Sequence, residues 1–147
     1  MFDVDALARI DITTLVPHQG AMCLWQRVLA ADETSVVVST DSHRHTDNPL
    51  RSDNLLRAVH LAEFGAQAMA VHGGLLALAT HAPVRKGFLV ALRGVSLHVT
   101  RIDDLHNELI GHAELLMQGQ DSQQYAFRIE HAGRLLAEGR AAVMLQD

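Results

Sequence analysis

The sequence predicts an α+β fold, one domain over residues 1–147, in which a long apolar helix is covered by an antiparallel sheet. Three observations carry this. Residues 55–78 form a stretch that is apolar almost all round, which marks a core helix rather than a surface one. Two β-rich segments precede it and four follow, the last three separated by short turns, which is the pattern of half-buried antiparallel strands. A sheet covers only one side of such a helix. The remainder has to be hidden by sheet curvature or by a second subunit, so the fold is expected to dimerise.

Taken in order, residues 3–10 read as a short lead-in helix, and Leu15-Val16-Pro17-His18-Gln19-Gly20 as a loop punctuated by Pro and Gly. Residues 22–29 are apolar and bounded by Gly20 and Asp32-Glu33, so they are expected to form a strand. The β-branched run at residues 35–40 predicts a second strand, and residues 41–54, with Asn48-Pro49, predict a polar loop. The core helix should stop at Gly73-Gly74 or shortly after, because paired glycines are poor helix formers. Residues 88–92 are continuously apolar, as a central strand would be. Beyond Gly94 the pattern alternates, and Gly94 is expected to mark a bulge or a close approach. Residues 108–117, 123–130 and 134–145 complete the strands.

Composition narrows the function. The 147 residues carry 12 basic and 17 acidic side chains, a net charge of −5, with 48% hydrophobic residues. This balance disfavours binding to nucleic acid or to an anionic membrane. Cys23 is the only cysteine, so no intrachain disulfide forms and a reducing compartment, the cytoplasm, is expected. The N-terminus has early acids and no basic region, so no signal peptide is expected. The apolar helix is interrupted by Arg57, His60, Glu63, Gln67 and His72 and is not read as a membrane span.

Past Arg57, Glu63 is the only charged residue of that helix. A carboxylate in apolar surroundings is costly unless paired or protonated, and burial is expected to keep it protonated near neutral pH. Such a group suits acid–base chemistry, with a buried polar stitch between helix and loop as the even alternative. His60, Glu63 and Gln67 fall on one helix face, where Gln67 can hydrogen-bond Glu63 or a nearby loop. The loop Ser42-His43-Arg44-His45 offers a base. No metal is expected, because His43 and His45 lack further ligands at suitable spacing. Gly-x-Ser-x-Gly and phosphate-loop patterns are absent. The isolated histidines, His72 among them, are expected on the surface or in loops.

Residues 15–22 with Arg27-Val28-Leu29 resemble the N-terminal segment of hotdog-fold 3-hydroxyacyl-ACP dehydratases. Ser42-His43-Arg44, Asn48-Pro49-Leu50-Arg51 and the run from Glu63 to Gly73 resemble the small dehydratase-like branch found with bacterial aryl polyene biosynthesis. That resemblance implies a hotdog fold, a long helix wrapped by a curved antiparallel sheet. It implies dehydration of a 3-hydroxyacyl thioester, carried by an acyl carrier protein, to the trans-2-enoyl form, with no cofactor. It implies His43 as base and Glu63 as acid, acting together across a subunit interface, with His45 as the alternative base. Gln67 would orient Glu63, His18 would brace its loop, and backbone N–H groups near the helix start would hold the enolate oxygen. A homodimer or a heteromer with another hotdog subunit is expected. The alternatives are a hotdog acyl thioesterase, or a catalytically weak structural subunit. The second is suggested by Leu61-Ala62, where the branch carries Gly-Ile.

Overall fold

The computed structural model describes residues 2–146. Helix α1, Val4–Ala8, is capped by the Asp3 carboxylate, which accepts from the Asp5 N–H. Six strands follow the order β1 Arg27–Ala31, β2 Ser35–Thr40, β3 Lys86–Leu97, β4 Leu109–Gln118, β5 Ser122–His131 and β6 Arg134–Gln146 along the chain. They form one antiparallel sheet in the spatial order β1-β2-β4-β5-β6-β3. The long helix α2, Leu61–Ala79, packs against β4, β2 and β5. This is the hotdog arrangement: a sheet around one core helix.

The packing follows the pattern of side chains. Leu61, Phe64, Ala68, Val71 and Leu75 of α2 are buried against Val36, Val38, Ala113 and Ile129 of the sheet. Each large side chain buried here contributes about 1.5–3 kcal/mol. Trp25 anchors the β1 side. Its indole N–H donates to the Phe64 carbonyl at 2.7 Å, and its ring meets Phe64 edge-on at 5.6 Å. Gly65 is required at the helix–sheet contact, because a Cβ there would lie 2.5 Å from the Phe127 ring.

Four expectations are corrected. The helix does not end at Gly73-Gly74 but continues to Ala79. Gly74 is held there by a close approach, since its Cβ would stand 2.5 Å from the Leu15 carbonyl oxygen. The first strand begins at Arg27, not at residue 22, because residues 20–22 form a 3-10 turn and Leu24 and Trp25 are pinned into the core. Residues 88–92 lie in an edge strand, not a central one: β3 pairs only with β6, and Phe88, Leu89, Val90 and Leu92 are exposed. An apolar run on a sheet edge reads like a buried strand when it awaits a partner. His72 is buried rather than on the surface. The bulge at Gly94 is present, with φ +60° and a register shift between Arg93 and Ser96. The segment Ala58–Ala79 is apolar and long enough to cross a membrane, yet more than half of it is buried within this fold.

Candidate active site

The loop between α1 and β1 lies along α2 and is stitched to it by one side chain. Gln67, almost fully buried, accepts from the Leu24 N–H at 2.9 Å through its oxygen. Its amide nitrogen donates to the Met22 carbonyl at 2.8 Å and to Glu63 Oε1 at 3.1 Å. The Leu24 carbonyl in turn accepts from the Thr40 and Ser42 hydroxyls at 2.6 and 2.7 Å. Gln67 therefore fixes loop and carboxylate with the same amide, one helical turn apart.

This brings His18 over Glu63, with Nε2 3.5 Å from Oε1. Glu63 is not sealed in apolar surroundings as expected: its side chain is 36% exposed, facing a cavity. It stands in the first turn of α2, where the positive end of the helix dipole meets an acidic side chain favourably. His18 Nδ1 is buried and has no hydrogen-bond partner among the described residues. The His18–Glu63 pair lines a cavity of about 230 Å³ with Leu15, Met69, Gly73, Leu89 and Tyr125 among its walls.

His43 is placed differently. It sits on the 3-10 turn Ser42–Arg44, is fully buried, and its Nε2 lies 2.9 Å from the Leu105 carbonyl oxygen. A carbonyl only accepts, so Nε2 carries the proton and Nδ1 would have to act as base. That atom is buried without a partner among the described residues. Burial also pushes the His43 pKa down. Within one chain, His43 makes no contact with Glu63 and lines no part of this cavity. His45 is also elsewhere, paired to Asp41 at 2.9 Å beside a separate shallow pocket. The helix also begins later than residue 55, where the apolar stretch starts: α2 proper opens at Leu61. A 3-10 turn, Ala58–His60, runs straight into it, and the Leu61 N–H is already bonded to the Ala58 carbonyl.

Sequence reasoning missed a polar pair behind the cavity. His72 Nε2 donates to the Asp32 carbonyl at 3.0 Å, which leaves Nδ1 to accept from the Tyr125 hydroxyl at 2.7 Å. Burial pushes His72 down and Tyr125 up, so both stay neutral. The pair holds the Tyr125 ring as a fixed cavity wall. A signal was present in the sequence: His72 falls on an otherwise apolar helix, where a lone polar group is normally hydrogen-bonded.

A further histidine–carboxylate contact, His112 with Glu130 at 3.7 Å, lies on the sheet away from α2. There Arg128 takes the carboxylate at 2.9 Å. That contact offers no free acid. No group of three or more His, Cys, Asp or Glu side chains is placed to hold a metal ion among the described residues.

Comparison with known proteins adds to this geometry. The model of the ApeP-like family, described as ApeP dehydratase, matches residues 10–147. The dehydratase heterocomplex ApeI:P from Xenorhabdus doucetiae superposes with a TM-score of 0.85 at 21% identity, covering 94% of this chain and 92% of that one. The PaaI protein of the E. coli phenylacetic acid degradation operon gives 0.59 at 16% identity, covering 80% of each chain. A hypothetical thioesterase from Streptococcus pneumoniae, solved with coenzyme A, gives 0.58 at 14% identity, covering 82% and 84%. No curated protein sequence matches the chain. The structural likenesses establish the hotdog fold. The family match bears out the dehydratase reading of the aryl polyene branch ahead of the thioesterase alternative.

Proposed function

The chain belongs to the ApeP-like dehydratase family, and on that premise we propose that His18 and Glu63, rather than His43 and Glu63, are its acid–base pair. The observation that supports this is the contact itself: Nε2 of His18 lies 3.5 Å from Oε1 of Glu63, on the wall of a cavity. The substrate is a 3-hydroxyacyl thioester on the phosphopantetheine arm of an acyl carrier protein. His18 Nε2 takes the proton from C2, which the thioester acidifies. Glu63 acts as the acid, supplying a proton to the C3 hydroxyl as the C3–O bond breaks. Water and the trans-2-enoyl thioester leave. The pair then stands as imidazolium and carboxylate, and proton transfer across their own contact restores the starting state. Catalysis of this kind contributes about 10²–10⁴-fold. Gln67 holds Glu63 in position through its amide.

The protein works as part of a larger hotdog assembly. β3 is a 12-residue edge strand with Phe88, Leu89, Val90, Leu92, Val95 and Leu97 exposed. A long apolar edge normally requires cover. Leu89 lies on that edge and on the cavity wall at once, so a second hotdog subunit pairing there would also close the site. The assembly is expected in a reducing compartment, the cytoplasm.

The test is mass spectrometry of a 3-hydroxyacyl carrier protein incubated with the purified protein. Loss of one water from the acyl group is the expected result. Release of the acyl group as free acid would make the protein a thioesterase. No change, alone or with a co-purifying hotdog subunit, would contradict the assignment.

A further inference from the structure

Helix α2 contains three glycines, and only two are explained by packing. A Cβ at Gly65 would collide with the Phe127 ring and one at Gly74 with the Leu15 carbonyl, each at 2.5 Å. A Cβ at Gly73 would meet nothing within 4 Å. Glycine inside a helix is less stable than alanine, so an unneeded one calls for another reason. Gly73 lines the same cavity as Glu63, together with Ala66 and Ala70. These four positions recur at i, i+3, i+7 and i+10, on one helix face, and each is partly accessible where its neighbours are mostly buried. From Glu63 to Gly73 the helix rises about 15 Å. An extended hydrocarbon advances about 1.3 Å per carbon, so roughly eleven to twelve carbons beyond the reacting ones span that distance. The walls off the helix are mostly apolar, with Leu15, Leu89, Val143, Leu145 and the Tyr125 ring beside Gln123 and Arg85, and suit hydrocarbon along most of their length.

We infer that Gly73 sets the length of acyl chain this site accepts: the chain runs from the reacting carbons at Glu63 past Ala66 and Ala70, and its far end occupies the space a side chain at Gly73 would fill. The inference rests on the acyl-thioester reading above. It assigns long-chain 3-hydroxyacyl thioesters as substrates and makes Gly73 the specificity-determining residue.

The experiment compares wild type, Gly73→Ala and Gly73→Leu, each in the assembly in which it purifies. Thermal unfolding confirms that each is folded. Gly73→Ala, which meets no neighbouring atom, serves if the leucine variant does not fold. The reading is the ratio of kcat/KM for 3-hydroxytetradecanoyl to that for 3-hydroxybutyryl carrier protein. The expected result is a ratio at least about tenfold lower in Gly73→Leu, with Gly73→Ala between it and wild type. An unchanged ratio would overturn the inference. So would an equal loss on both substrates, which would place the pantetheine arm over Gly73 instead. Binding of the non-reacting tetradecanoyl and butyryl pantetheine thioethers is measured beside turnover. If wild type turns over neither substrate but prefers the long analogue, and Gly73→Leu abolishes the preference, the dehydration assignment fails while the chain-length assignment stands. If wild type shows no preference for the long analogue, the chain-length assignment fails.

Discussion

His18 precedes β1 and His43 follows β2, and because those strands run antiparallel both loops leave the ribbon at the same end. Their imidazoles nevertheless meet different surroundings. His43 is fully buried, with Nε2–H donated to the Leu105 carbonyl and Nδ1 enclosed. His18 is partly open, and its Nε2 faces a carboxylate across a cavity. The difference teaches that reactivity here is decided by what each ring nitrogen already holds. A histidine whose proton is fixed by a carbonyl is a structural member. One whose ring nitrogen faces a carboxyl group across a cavity is placed to react.

The largest effect expected on this comparison comes from the carboxylate. Glu63→Gln keeps the shape and a hydrogen-bonding head but cannot donate the acid proton. Turnover of a 3-hydroxyacyl carrier protein should fall about 10²–10⁴-fold, while stability moves by no more than about 0.5 kcal/mol because the side chain is partly exposed. Steady-state kinetics and urea unfolding measure the two separately. Equal turnover in the variant would break the account of this side of the comparison.

The other side is tested by stability. His43→Ala leaves a cavity and an unpaired Leu105 carbonyl, so it should cost about 2–4 kcal/mol in urea unfolding. A neutral effect would mean that His43 is not the packed member described. A smaller loss is expected from Gln67→Leu, which matches the volume but leaves the Leu24 N–H and Met22 carbonyl unpaired. It should cost about 1–3 kcal/mol. It should also weaken turnover through the loosened His18 loop, and rescue by Gln67→Glu would be incomplete because a carboxylate cannot donate to Met22.

The smallest effect is a pH dependence. His43 and His72 are held below the ordinary histidine pKa by burial. The unfolded chain therefore binds protons that the folded chain does not, and stability rises with pH across that interval. The contribution is complete above about pH 6.5 and is lost as pH falls below it toward the lowered folded-state values. Urea unfolding between pH 5 and 7 should show this slope. It should be shallower in His43→Phe, and an identical slope would remove His43 from the cause.

Much of the architecture was legible because burial writes a period into the chain. The alternation of residues 123–130 and the all-round apolarity of residues 55–78 located strand and helix from residue type alone, to within a few residues of their ends. The helix end was not legible, since Gly74 answers to Leu15, far away in sequence. Nor was the edge position of β3, because an apolar edge and a buried strand share one pattern. Glu63 and Gln67 stood out through helix polarity, whereas the choice between His18 and His43 depended on the Leu105 carbonyl, which no spacing rule reveals. Family likeness pointed to the chemistry. The partners of each ring nitrogen support the proposed choice of base.

The most direct measurement is the turnover of a 3-hydroxyacyl carrier protein by His18→Ala and His43→Ala side by side, each corrected for its folded fraction. The account predicts a loss of about 10²-fold or more in His18→Ala and near wild-type turnover per folded molecule in His43→Ala. Full activity in His18→Ala with loss in folded His43→Ala would contradict it and return the base to the loop after β2.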